Sequence, residues 1–135
     1  MTDPIQQILT TTRRIAVVGA SHNPGRASNE IMAFLIARGF DVVGVNPGLA
    51  GQTLHGRPVV ATLDEAGPLD MVDVFRAGNQ VAPIMADAIR LGARTVWLQL
   101  GVINTVAAAA GREAGLQVVE DRCPSIEWRR LRLPT

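Results

Sequence analysis

Short runs of β-branched residues alternate with longer stretches of helical character along the whole chain. Such alternation is typical of a parallel sheet whose two faces are covered by helices. Each of the five predicted strands is a run rich in apolar residues. They span residues 15–19, 41–45, 71–75, 95–99 and 117–120. We therefore expect an α/β fold with a doubly wound, five-stranded parallel sheet in the order 3-2-1-4-5 and right-handed crossovers.

Polar residues and glycines mark the expected ends of the helices. The predicted helices span residues 4–10, 29–38, 81–91 and 105–113, and a short one opens at Ser125 near the end of the chain. Ser28 and Asn104 have side chains suited to capping a helix at its first turn. Thr62 and Glu65 have the spacing of a capping box, although the following glycine and proline limit that helix to about one turn. The glycine-rich segment 48–60 predicts an irregular surface stretch with one short strand near Val59.

Length and composition predict one globular domain over residues 1–135. Hydrophobic residues make up 47% of the chain and charged residues 19%, which is ample for a core. The formal net charge of +1 is too balanced for a general nucleic-acid binder. Because no apolar run approaches the length of a membrane span and no secretion signal opens the chain, we expect a soluble cytoplasmic protein without membrane contact.

Several kinds of chemistry are excluded by residue types that the chain lacks. All thirteen basic residues are arginine, so neither a Schiff base nor a Walker lysine can be formed. The chain also has no tyrosine, which removes the Tyr/Lys pair of short-chain dehydrogenases. With His22, His55 and Cys123 as the whole set of histidines and cysteines, one chain cannot build a structural zinc site or a disulfide.

Ligands of an open parallel sheet bind beyond the carboxyl ends of the central strands. Five segments follow the predicted strands there: 19–26, 46–48, 75–76, 99–101 and 121–124. The first one feeds a helix N-terminus through Gly19, and such a turn presents backbone N–H groups to a phosphate. It does not match the G-x-G-x-x-G fingerprint, but Ser21 adds a hydroxyl and Arg26 a planar donor fork.

The residues at the end of the second strand discriminate between the candidate nucleotide ligands. A nicotinamide site normally has Asp or Glu there to hold a ribose diol, whereas this chain has Asn46 and Pro47. NAD is therefore disfavoured. A nucleotide with a phosphorylated ribose fits better, because Arg26 and Arg57 can supply positive charge. NADP and coenzyme A both meet that description.

Five motifs in order resemble a known family. They are Ile15-Ala-Val-Val-Gly-Ala-Ser21, Val45-Asn-Pro47, Val72-Asp-Val-Phe-Arg76, Val96-Trp-Leu-Gln99 with Gly101, and Asp121-Arg-Cys123. Together they resemble the small stand-alone CoA-binding protein family, which is similar to the N-terminal domain of the succinyl-CoA synthetase alpha subunit. The resemblance covers residues 13–132 and implies a Rossmann-like domain that binds CoA at the strand ends.

The resemblance also implies a set of binding residues. Gly19, Ala20, Ser21, Pro24 and Arg26 would surround the pyrophosphate, Asn46 and Pro47 would lie beside the adenosine, Phe75 and Arg76 would follow the ligand, and Gln99 and Gly101 would lie near the pantetheine end. Relatives often carry Glu shortly after the Phe-Arg pair, whereas this chain has Gly78-Asn79-Gln80. No acidic residue is therefore assigned a role there.

The remaining candidate residues favour structural interpretations. His22 is expected on a solvated loop and His55 on the surface without a carboxylate partner. Cys123 is expected to be a partly buried cysteine without a catalytic role, because no activating partner is evident. Asp73 lies within the third strand, where burial would demand hydrogen bonds, and its predicted role is either structural or to support the site. Trp97 and Trp128 are expected to pack in the core.

The leading hypothesis is a CoA or acyl-CoA binding protein without identifiable catalytic apparatus and without a metal. One alternative is an NADP-dependent oxidoreductase. Another is a protein-interaction module with a vestigial nucleotide pocket. No nucleic-acid or membrane partner is expected, and a homodimer is plausible by base rate only.

Overall fold

The structure, a computed structural model, describes residues 2–134. Within that range it has seven strands and five α-helices. The strands are β1 (Arg14–Val18), β2 (Asp41–Val45), β3 (Thr53–Leu54), β4 (Arg57–Val60), β5 (Met71–Val74), β6 (Thr95–Leu98) and β7 (Gln117–Val119). The helices are α1 (Pro4–Thr11), α2 (Ala27–Ala37), α3 (Val81–Arg90), α4 (Thr105–Glu113) and α5 (Pro124–Arg130). Short 3-10 turns lie at Pro47–Leu49, Asp64–Ala66 and Gly78–Gln80.

The sheet is mostly parallel, as the alternating pattern predicts, but the number and order of its strands differ from the expectation. The observed order is β3-β4-β2-β1-β5-β6-β7. The expected order 3-2-1-4-5 is therefore wrong, since the strand at Met71–Val74 lies beside β1 rather than beyond β2. The short strand β4 takes the place beyond β2, where Val59 and Val60 pair with Gly44 and Val45.

The glycine-rich segment forms the edge of the sheet. β3 and β4 are an antiparallel hairpin, and its turn contains His55 and Gly56, whose φ angles are 50° and 78°. Two consecutive positive φ angles are the geometry that a tight hairpin turn requires. Pro58 is tolerated in β4 because a strand near the sheet edge can lose a ladder donor.

Both faces of the sheet are covered, which explains why its central strands are almost continuously apolar. One face packs against α1, α2 and α5 and includes Ile15, Val17, Met71 and Trp97. The other face packs against α3 and α4 and includes Ala16, Val18, Val72, Val74, Val96 and Leu98. The expectation that Trp97 and Trp128 are core residues is confirmed, because they are 0% and 8% exposed.

Helix starts follow the predicted caps only in part. Asn104 caps α4 as predicted, since its side chain accepts a hydrogen bond from the Ala107 N–H. Ser28 does not cap α2, because the helix begins one residue earlier and places Ser28 inside its first turn. α5 likewise begins at Pro124 rather than Ser125. None of the helices within residues 2–134 is both long and apolar enough to cross a membrane.

Candidate functional site

Three central strands end at nearly the same level of the sheet. Val18 of β1 pairs with Val45 of β2 on one side and with Val74 of β5 on the other. The residues that follow these strand ends, Gly19, Asn46 and Phe75, therefore meet at one edge. The segments after β6 and β7 join the same edge because those strands are parallel to β5 and β6. This carboxyl edge brings together all five segments that the sequence analysis selected.

The loop between β1 and α2 is folded by its own side chains. Gly19 has a φ of 90° and donates its N–H to the Val45 carbonyl at 3.0 Å. Ser21 Oγ accepts the Asn23 N–H at 3.1 Å, and Asn23 Oδ1 accepts the Gly25 N–H at 2.9 Å. No side chain caps α2, so N–H groups of its first turn are available to an anionic ligand.

Two asparagines hold this loop against the sheet and α2. Asn46 Nδ2 donates to the Ala20 carbonyl at 2.7 Å, while its Oδ1 accepts the Gly48 N–H at 2.8 Å. Asn29 Nδ2 donates to the Ser21 carbonyl at 2.8 Å. These bonds occupy two carbonyl oxygens that would otherwise repel an anion at the loop.

The loop surrounds a cavity of about 280 Å³, which we name the loop cavity. Its polar lining residues include Ser21, Asn46 and two arginines, Arg26 and Arg76. Arg76 Nε donates to Gln80 Oε1 at 2.7 Å, which holds that side chain in place. Backbone N–H groups and two arginines in one concave surface are a combination that binds phosphate.

A second cavity of about 370 Å³, the edge cavity, adjoins the first and shares Gly19, Asn46 and Arg76 with it. Its other walls are mostly apolar and come from the β2 end, the segment after β4, and α3. They include Val45, Pro47, Ala61, Leu63, Pro83 and Ile84. The contribution of residues 61–63 and α3 was missed by sequence reasoning, because β4 was not placed beside β2.

A third cavity of about 390 Å³, the helix cavity, lies between α2, α5 and the segment after β6. It shares Ala27 with the loop cavity. Its apolar lining includes Ile31, Phe34, Leu100 and Ile126, and its polar lining includes Gln99, Cys123 and Ser125. The three cavities therefore adjoin one another along the carboxyl edge, with the polar one in the middle.

The structure places most of the predicted binding residues in these cavities. Gly19, Ala20, Ser21, Arg26, Asn46, Phe75 and Arg76 line the loop cavity, Pro47 lines the edge cavity, and Gln99 lines the helix cavity. Pro24 and Gly101 line none of the three. Pro24 is exposed, and the Gly101 N–H donates to Asp121 Oδ1 at 2.7 Å. Gly101 thus connects the loops that follow β6 and β7.

Arg57 does not take the place that the sequence analysis considered for it. Its guanidinium donates to the Val42 carbonyl and forms an ion pair with Asp41. Asp41 begins β2, at the end of the strand opposite to Asn46. The suggestion that Arg57 supplies charge to a ribose phosphate is therefore wrong, and the arginines that line the loop cavity are Arg26 and Arg76.

The two histidines lie outside the three cavities. His22 is exposed on the β1–α2 loop, as expected. His55 is also exposed, but its Nε2 lies 3.1 Å from Asn29 Oδ1. Through Asn29, the hairpin of β3 and β4 thus supports the loop that carries Ser21. Within residues 2–134 no group of three or more His, Cys, Asp or Glu residues is placed to hold a metal ion.

Asp73 departs from the expectation that a buried carboxyl group is hydrogen-bonded. It lies between Val17 and Trp97 in the sheet register and is 0% exposed. Neither of its carboxyl oxygens has a hydrogen-bond partner among the described residues. Burial, and to a smaller extent the charge of Cys123, raises the pKa of Asp73 well above its usual value. The sequence pattern showed the burial of this residue but not its lack of partners.

Cys123 lies at the end of the segment between β7 and α5 and is buried. Its Sγ is 3.2 Å from Ser125 Oγ. Burial raises the pKa of the Cys123 thiol, but hydrogen bonds from Ser125, Gln99 and two backbone N–H groups of α5 outweigh that effect and lower the pKa below its usual value. The expectation of a buried cysteine is confirmed, while its polar surroundings were not foreseen.

Comparisons with known proteins show which family and which solved structures this chain is similar to. A family model described as "CoA binding domain" matches residues 13–129. The Bacillus subtilis (strain 168) protein YneT is 32% identical over 119 residues, which cover 88% of this chain and 87% of YneT. A solved structure of a protein from Pyrococcus horikoshii OT3 is 36% identical to this chain in sequence and has a TM-score of 0.90. The match covers 97% of this chain and 92% of that protein's chain. A Thermus thermophilus structure is 34% identical with a TM-score of 0.91 and covers 97% and 99% respectively.

Proposed function

The chain belongs to the CoA binding domain family, and we propose that it binds coenzyme A or acyl-CoA along the carboxyl edge of its sheet, as one domain over residues 1–135. The observation that carries this proposal is the arrangement of the three cavities. The polar loop cavity lies between two more apolar cavities and shares lining residues with each. Coenzyme A has the same order of parts, since its diphosphate joins an adenosine to a long pantetheine arm.

The diphosphate is assigned to the loop cavity. There Arg26 and Arg76 line the same cavity as Ala27 and Ser28 of the uncapped first turn of α2. A hydrogen bond to a charged group contributes roughly 1.5–3 kcal/mol. Two arginines and several backbone N–H groups are sufficient to hold a diphosphate against competition from water.

The adenosine is assigned to the edge cavity. Pro47 and Ile84 are apolar surfaces suited to contact a purine ring, and Asn46 lies where the ribose would follow. Because Asn46 is neutral, it does not repel a phosphate on the ribose. Arg76 lines both cavities and is placed to interact with such a phosphate as well as with the diphosphate.

The pantetheine arm is assigned to the helix cavity. Its path would pass Ala27, which lines both the loop cavity and the helix cavity. Apolar residues from α2 and α5 then flank the arm. Gln99 offers polar contacts for the amide groups of the pantetheine arm. This assignment leaves the protein as a binder of CoA, with no catalytic role assigned to any residue.

Thermal unfolding with CoA, with NADPH and without ligand tests the proposal. A ligand at one hundred times its dissociation constant adds about 2.7 kcal/mol to the free energy of unfolding, which raises the melting temperature by several degrees. We expect that rise with CoA. A rise with NADPH alone would favour an NADP-dependent oxidoreductase, and no response to either ligand would favour a protein-interaction module.

Titration of the Arg26→Ala variant tests the phosphate assignment. The affinity for CoA should fall about ten- to a hundredfold, whereas the affinity for pantetheine, which has no phosphate, should not change. Arg112→Ala is the matched control, because it removes the same charge at a residue of α4 that pairs with Glu120. Equal losses for CoA in both variants would show that Arg26 makes no specific phosphate contact.

A further inference from the structure

The helix cavity contains the one thiol of the chain. Cys123 is the single cysteine in the sequence, and it lines this cavity together with Ser125 and Gln99. The Sγ atom lies 3.2 Å from Ser125 Oγ, and hydrogen bonding at the sulfur lowers the pKa of the Cys123 thiol. Donors around a sulfur atom stabilise a thiolate, which is the nucleophilic form of cysteine.

Gln99 provides an independent sign that the helix cavity receives a ligand. The side chain is 6% exposed, and among the described residues its Oε1 has no hydrogen-bond partner. A buried carbonyl oxygen without a donor is unfavourable, and most such atoms in proteins are satisfied. An amide N–H of a pantetheine arm would satisfy this oxygen, and the thiol of that arm would then lie near Cys123.

We propose that Cys123 exchanges with disulfides of CoA, so that the protein holds CoA as a mixed disulfide; this inference rests on the proposed function. The Cys123 thiolate attacks the CoA sulfur of a low-molecular-weight disulfide, CoA–S–S–R. The bond between Cys123 Sγ and the CoA sulfur forms while the S–S bond of the disulfide breaks. The leaving thiolate R–S⁻ takes up the proton that Cys123 released to solvent. The disulfide is the oxidant that the step consumes.

Thiol–disulfide exchange matches the groups around Cys123 better than acyl transfer does. Acyl transfer needs donors aimed at a developing oxyanion, whereas the Ser125 hydroxyl beside Cys123 contacts the sulfur itself. Exchange needs only an accessible thiolate and a positioned disulfide. Because the chain has no second cysteine, the mixed disulfide cannot be resolved internally. It persists until an external thiol releases CoA.

Intact-mass measurements on the full chain, incubated with CoA disulfide or with glutathione disulfide, test the inference. We expect a mass gain of one CoA per chain that dithiothreitol reverses and that Cys123→Ser abolishes. Binding places the disulfide beside the thiol, so the adduct should form at least about tenfold faster with CoA disulfide than with glutathione disulfide. Desulfo-CoA, which lacks the sulfur, should slow the reaction by competing for the site.

The same reagents separate failure of this inference from failure of CoA binding. If desulfo-CoA raises the melting temperature but CoA disulfide reacts no faster than glutathione disulfide, the exchange site is refuted while CoA binding stands. If desulfo-CoA neither stabilises the protein nor slows adduct formation, both proposals fail. The result does not depend on the folding of a variant, because the only cysteine identifies the site of any disulfide adduct in the wild-type chain.

Discussion

Replacing Asp73 with asparagine is expected to stabilise the protein by an amount that grows with pH. Asp73 is fully buried, and neither carboxyl oxygen has a partner among the described residues. Burial therefore raises the pKa of Asp73 well above its value in an unfolded chain, near 3.8. Asparagine has nearly the same shape and no charge to lose. The variant therefore keeps the packing between Val17 and Trp97 but no longer has a carboxyl proton whose release depends on folding.

The sign and size of the effect follow from proton binding. Above pH 3.8 the unfolded chain releases the Asp73 proton, while the folded protein retains it until the raised native pKa is reached. In that window the wild-type free energy of unfolding falls by about 1.4 kcal/mol per pH unit relative to the variant. Below pH 3.8 the carboxyl is protonated in both states, so the two proteins should be similarly stable.

Urea unfolding of wild type and Asp73→Asn at several pH values between about 2.5 and 7 measures this difference. Asp70→Asn is a control of opposite sign. Backbone hydrogen bonds from Arg14 and Arg13, together with Arg94, lower the pKa of Asp70, so its contribution to stability is present above pH 3.8 and is lost as pH falls further. If the stability difference between wild type and Asp73→Asn stays constant across the range, the assignment of a neutral buried Asp73 is refuted.

Two further substitutions test the loops at the carboxyl edge. Gly78→Ala should destabilise the protein by about 1–3 kcal/mol, because a Cβ there would overlap the Ile103 carbonyl oxygen. Gly25→Ala is the control, because its Cβ would meet nothing closer than 3.3 Å, and it should change stability by less than about 0.5 kcal/mol. Equal melting temperatures for Gly78→Ala and Gly25→Ala would contradict the close approach of Gly78 to Ile103. Asn46→Asp should weaken CoA binding more than about tenfold, because it loses the hydrogen bond to Ala20 and adds a negative charge beside the phosphates. An unchanged affinity for CoA in calorimetric titration would show that the ribose does not bind beside Asn46.

The position of the loop that we assign to the diphosphate was accessible from local sequence. A strand that ends in Gly19 and leads into a helix indicates exposed backbone N–H groups at the start of that helix, and among the described residues no side chain caps α2. The far wall of the edge cavity was not accessible, because residues 61–63 reach it only through the pairing of β4 with β2. The meeting of Gln99 and Cys123 in the helix cavity was likewise missed, since these residues are distant in sequence and no local pattern connects them.

The sequence by itself determined the class of fold and most element boundaries, because apolar periodicity, Asn104 as a cap, and glycine at strand ends act within a few residues of one another. β2, for example, has the bounds that its β-branched run predicts. Only the tertiary structure decided the order of the strands, the pairing of Arg57 with Asp41 and the isolation of the Asp73 carboxyl group. An apolar strand signals that it is buried, but it carries no mark of which strand lies beside it or which polar groups meet it. Those outcomes depend on the packing of the whole sheet.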